Sequence, residues 1–156
     1  IAVGAYIKIP IPFSPVPITL QVFFIFLAGA MLGARWGTLS VIVYLLLGIV
    51  GLPVFSGGAS GLGVLLGPTG GYLIGFAVAA FLVGTLSEKK GTSNVLLNTA
   101  FMLVGLCAIY LLGTPYLAYA ANLTIENAIK LGVIPFLPAD LLKVALASLI
   151  VSKYSI

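Results

Sequence analysis

The sequence predicts an all-α membrane protein: a six-transmembrane-helix bundle forming a single polytopic domain over residues 1–156. Three observations predict it. Of the 156 residues 62% are hydrophobic, and only seven basic and three acidic side chains are present, too few charges to cover a soluble domain of this length. Long apolar runs alternate with short polar or Pro/Gly punctuation, and a spanning helix takes about 20 residues. Arg35, Lys89, Lys90 and Lys153 flank expected span ends and share one side if the spans alternate, a side that the positive-inside rule makes cytoplasmic.

The first span, IAVGAYI, is cut into at its start and is expected to begin upstream, ending outside near Ile7. Four prolines then fall between Pro10 and Pro17. Their rings fix φ and forbid helix, so an extended segment is expected. Its Ile9, Ile11, Phe13 and Val16 are too apolar for a solvated loop and are expected to pack, as a lid over the outer mouth.

The second span covers about Ile18 to Ala34 and ends at Arg35 and Trp36, a basic and aromatic interface anchor. The third runs from about Gly37 to Val50 and turns at Gly51-Leu52-Pro53. The fourth starts near Pro68 or Thr69 and ends at Ser87, and the fifth covers about Asn94 to Gly113. A short surface helix is expected around Leu123 to Leu131, and the sixth span runs from Pro138 to Lys153. Both termini then lie in the cytoplasm of a multi-pass cell-membrane protein. Gly29 and Gly33, like Ala30 and Ala34, stand four apart and allow close helix packing, within the bundle or against a partner.

Eight glycines lie between Gly57 and Gly75, in a stretch that includes SGGASGLGVLLGPTGGY. A phosphate-binding P-loop needs a Gly-Lys pair, and none exists in the chain. The dinucleotide spacing G-x-G-x-x-G fails as well. Irregular backbone at membrane depth survives only where it is buried in protein or lines a cavity. GPTGG leads into an expected helix N-terminus, where amides and the helix dipole favour an anion such as a carboxylate. A re-entrant turn that only packs the bundle remains the alternative.

Asp140 and Lys143, at i and i+3, share a face of the sixth span. Ionisable groups inside a span usually face a cavity or a partner; the alternative is a helix cap beside a lysine that snorkels outward. As ligand groups they offer an acceptor beside a charged donor, which suits the two N–H groups and one carbonyl of a cyclic urea. Thr19 and Gln21 enter the second span from the same outer side, as polar contacts or as caps. Phe55 and Tyr72 flank the glycine run and either wall a pocket or pack without a ligand. Asn122-Leu123-Thr124 matches a glycosylation acceptor, a pattern frequent by chance, and Glu126 and Lys130 read as a surface pair.

The chain has no histidine, a single cysteine (Cys107) and three scattered acids. No catalytic constellation, metal site, cofactor site or internal disulfide follows from that inventory. No basic stripe with interleaved aromatics points to nucleic acid.

Taken together, PVPITLQ, LPVFSGG, GLGVLLGPTGGY and PADLLK, in this order and spacing, resemble the BioY family, the biotin-capturing subunits of energy-coupling-factor (ECF) vitamin importers. The likeness runs from the proline segment to the end of the sixth span. It implies six helices with a substrate pocket near the outer surface, and a non-enzymatic role. It also implies partnership with a module of two ATPases and a membrane coupling protein. Asp140 and Lys143 would contact the bicyclic ring, and the loop Gly57 to Gly71, with Gly57, Gly58, Ser60, Thr69, Gly70 and Gly71, would lie near the valerate tail. Gln21, Phe55 and Tyr72 complete the expected substrate-binding set. Ala2 to Ala5 would belong to the coupling surface. Ala59 and Leu73 stand where some relatives carry a polar residue and an arginine, so backbone amides, Ser60 or Thr69 would serve the carboxylate. The alternatives are the same architecture serving another vitamin, and a membrane assembly subunit that binds no ligand.

Overall fold

The computed structural model describes residues 1–9, 18–55, 58–91 and 93–154. Apart from turns and connecting segments, those residues form helices and one small ladder. The order is α1 (Ala2–Tyr6), β1 (Lys8–Ile9), β2 (Ile18–Thr19), α2 (Gln21–Ile49), α3 (Leu62–Leu66), α4 (Gly70–Lys90), α5 (Val95–Ala120), α6 (Ile125–Gly132) and α7 (Leu137–Lys153). The expected proline lid, residues 10–17, lies outside the described residues. Its flanks pair antiparallel, Lys8 with Thr19 and Ile9 with Ile18.

Helix α2 runs for 29 residues but is broken at Gly33, which sits at φ 86°, ψ 177°. That region is open to glycine alone. The break reverses the chain. Gln21 Nε2 donates to the Tyr44 hydroxyl across 2.6 Å, whereas 23 residues of straight helix would hold them about 34 Å apart. A Cβ on Gly37 would lie 2.8 Å from the Ala28 carbonyl oxygen, so residues 21–32 and 34–49 form an antiparallel hairpin. The second limb begins with an N–H that needs a partner. Glu88 of α4 supplies one: its Oε1 accepts from the Ala34 amide at 2.9 Å, and its charge suits the positive end of the limb.

Helix α4 packs between α2 and α5. A Cβ on Gly29 would come 2.8 Å from the Ala80 carbonyl oxygen, and one on Gly75 would come 2.9 Å from Ile109 Cα. Small residues bring these backbones close, as membrane helices do without a hydrophobic driving force between them. Gly29 and Ala30 are therefore used inside the bundle. Asn94 caps α5, its Oδ1 accepting from Leu96 N at 2.9 Å. The helix continues to Ala120, past the expected end at Gly113, and carries Pro115 within it. Thr124 caps α6 through Asn127 N at 3.2 Å. Helices α6 and α7 meet at a bend of 52°. Within the glycine run, where irregular backbone was expected, Leu62–Leu66 forms the short helix α3.

By length and composition α4 and α5 are each long and apolar enough to cross a membrane. The 29 residues of α2 pass the same test although the break at Gly33 folds them back, and the bent pair α6–α7 adds a span if taken as one. This is a multi-pass membrane protein. Its two ends differ. The Glu88–Ala34 contact brings the end of α4 to the turn of α2, and Ser152 Oγ donates to the Ser93 carbonyl at 2.9 Å. Arg35, Lys89, Lys90 and Lys153 thus gather at one end. The starts of α2, α4 and α7 meet at the other.

Candidate substrate-binding site

At that second end lies a cavity of about 240 Å³. Apolar walls come from Val22 of α2, Leu73 and Phe76 of α4, Ile109 of α5 and Phe136 before α7. Polar groups come from Thr19, Gln21, Tyr72, Tyr110, Asp140 and Lys143. A largely apolar pocket with a few convergent polar groups is the usual form of a small-molecule site.

Pro138 stands in the first turn of α7, where its missing N–H costs nothing. The next turn presents the ionisable pair. Lys143 Nζ lies 3.0 Å from Asp140 Oδ1, with the residues only 7% and 4% exposed. The Tyr110 hydroxyl donates to Asp140 Oδ2, and Lys143 Nζ also donates to the Thr19 carbonyl. Asp140 makes no helix cap, and Lys143 stays inside instead of reaching for the interface. A carboxylate has about four acceptor positions and an ammonium three donors. The pair therefore keeps hydrogen-bonding capacity for a third party.

Gln21 is held on both sides of its amide. Nε2 donates to Tyr44, and Oε1 accepts from the Thr19 hydroxyl at 3.2 Å. Phe55 is fully buried; its ring meets Tyr44 edge-on at 5.6 Å and occupies the space that a side chain at Gly48 would need. The Tyr72 hydroxyl donates to the Gly132 carbonyl at 2.8 Å, tying the start of α4 to the end of α6.

Of the residues singled out in the sequence, Asp140, Lys143, Gln21, Phe55, Thr69 and Tyr72 line the cavity. Gly57 lies outside the described residues. Gly58, Ser60, Gly70 and Gly71 are described but are not among its lining. A Cβ on Gly58 would come 3.4 Å from the Tyr6 ring, one on Gly70 would strike the Leu65 carbonyl oxygen of α3, and one on Gly71 would come 2.5 Å from the Leu112 carbonyl oxygen and 2.6 Å from Tyr116 Cβ of α5. Ser60 is exposed. Gly70 and Gly71 let the start of α4 approach α3 and α5 closely. Sequence reasoning passed over Tyr110, Phe76, Ile109 and Phe136. Tyr110 alone carried a signal: a hydroxyl in an apolar span needs a partner.

The model of the BioY family matches residues 1–155. The chain belongs to the BioY family. The biotin transporter BioY of Thermotoga maritima is 48% identical over 150 residues, covering 96% of this chain and 86% of that relative. The probable biotin transporter BioY of Pyrococcus horikoshii is 43% identical, covering 97% of this chain and 87% of the relative. The crystal structure of the S-component for biotin from an ECF-type ABC transporter superposes with a TM-score of 0.91 at 33% identity, covering 97% of this chain and 82% of that one. Membership in the BioY family places the chain among transport proteins, not enzymes.

Proposed function

We propose that this chain is the biotin-capturing subunit of an ECF-type importer. The observation that carries the reading is the buried Asp140–Lys143 pair facing a cavity in a BioY-family chain. The two N–H groups of a cyclic urea find acceptors on Asp140, and its carbonyl finds the third donor of Lys143. Gln21, Phe55, Thr69 and Tyr72 complete the ligand-facing set in this proposal.

The same reading orients the molecule. With the basic end in the cytoplasm, the cavity opens outward and α7 ends inside. Counting the two limbs of α2 separately, α1, α4, α5 and α7 bring the bundle to six membrane segments in one domain over residues 1–156. The chain lacks a nucleotide-binding motif, so energy comes from a module of two ATPase subunits and a membrane coupling protein, with the small residues of α1 in the coupling surface.

Purified chain should melt higher with excess biotin, since a ligand at about 100 times its Kd adds about 2.7 kcal/mol of stability. Asp140→Asn should lose roughly 30-fold or more in affinity, because breaking one partner of a buried charged pair costs about 2–5 kcal/mol. Biotin affinity unchanged in that variant would remove Asp140 from the site. Stabilisation by a different vitamin alone, or by none of a panel, would turn the reading to another ligand or to an assembly subunit.

A further inference from the structure

Resting on the biotin reading, we propose that the acyl end of the ligand is held without a countercharge, so that the chain takes the neutral amide of biotin about as well as the free carboxylate. The substrate class is then ureido-ring compounds whose acyl end is recognised by fit and hydrogen bonding.

The charges decide it. Among the described residues the cavity lining holds two ionised side chains, Asp140 and Lys143, and they neutralise each other at 3.0 Å. The Lys143 ammonium is also held by the Thr19 carbonyl. Diverting it to a ligand carboxylate would strip Asp140 of its countercharge while leaving it buried, and an uncompensated buried charge is strongly unfavourable. The more solvent-accessible part of the lining comes from Thr19, Ala59, Val64, Thr69 and Tyr110, none of them charged.

Five of the other cations lie elsewhere. Arg35, Lys89, Lys90 and Lys153 mark the opposite end of the bundle. Lys130 is exposed and paired with Glu126 at 3.2 Å. Of the seven basic residues in the sequence, that leaves Lys8, the ladder partner of the cavity-lining Thr19, which the experiment addresses directly.

Thr69 stands at the start of α4, and the positive end of a helix attracts an anion. That attraction is typically worth a preference of less than about tenfold. A buried ion pair to the carboxylate would discriminate by roughly 30-fold or more. A primary amide has nearly the shape of a carboxylate and lacks its charge, so the ratio of the two affinities separates the cases.

The full chain in detergent is titrated calorimetrically with biotin and with biotin primary amide at neutral pH, as wild type and as Lys8→Gln. The expected result is two dissociation constants within about tenfold, with the ratio unchanged in the variant. An amide weaker by more than that overturns the proposal, and so does a Lys8→Gln variant that weakens biotin while sparing the amide. Tight biotin with a weak amide removes this inference and leaves the biotin reading standing. Binding of neither ligand removes the biotin reading itself.

Discussion

Tyr110 sits in the apolar run FMLVGLCAIYLLG of α5 and donates its hydroxyl to the carboxylate that Lys143 also holds. It fixes the rotamer of Asp140 from the opposite side and leaves the remaining acceptor positions pointing where the pair allows. A hydrogen bond to a charged group contributes about 1.5–3 kcal/mol. Tyr110→Phe is therefore expected to weaken biotin binding by about tenfold or more. Because the hydroxyl acts through Asp140, its loss in an Asp140→Asn background should cost clearly less than in the wild type. Fully additive losses in that double-mutant cycle would separate the hydroxyl from the carboxylate. At this scale the ionisable pair was legible, since two opposite charges one turn apart in an apolar run have few explanations. Gly70 and Gly71 were less legible, because residue type says that a backbone is approached closely but not by what. At Gly70 the approach comes first from the Leu65 carbonyl nearby, and at Gly71 from Leu112 and Tyr116, far along the chain.

The hairpin of α2 shows the same limit among elements. The basic and aromatic pair Arg35-Trp36 announced a turn, and the expected boundary lay between Ala34 and Gly37. The structure turns at Gly33 because a carboxylate from α4 caps the limb that starts at Ala34, and no local signal carries a partner 54 residues away. Gly33→Ala places a side chain in backbone territory reserved for glycine, and its Cβ would strike Glu88. Such strain costs about 1–3 kcal/mol, so Tm should fall by roughly 2–12 °C. Glu88→Gln keeps an acceptor for the Ala34 amide and should melt closer to wild type than Glu88→Ala. Equal melting of the two Glu88 variants would remove the cap from the account. The extension of α5 beyond Gly113 had a similar origin. Pro115 inside α5 is tolerated as prolines are in membrane helices, where neighbouring helices and local adjustment satisfy the freed carbonyl.

Across the whole molecule, apolar composition and the spacing of basic residues made the membrane class and the polarity of the bundle legible. The walls of the cavity were not. Phe76, Ile109 and Phe136 look like any other apolar residues, because a span is apolar on its lipid side and on its inner side alike. The hairpin carries a consequence for the surrounding lipid. Its first limb, residues 21–32, rises about 18 Å and its second, residues 34–49, about 24 Å, while α5 rises about 39 Å. A hydrocarbon core is about 30 Å thick. On one flank of the bundle the bilayer must pinch inward, and on the opposite flank α5 must tilt or stand proud. Thickness mismatch costs fractions of a kcal/mol per Å. Reconstituted into lipids of increasing acyl-chain length, the protein should melt at progressively lower temperature, and an unchanged Tm across the series would argue against the pinch. The membrane around this chain is then not a passive solvent but a sheet drawn thin at one edge of the protein.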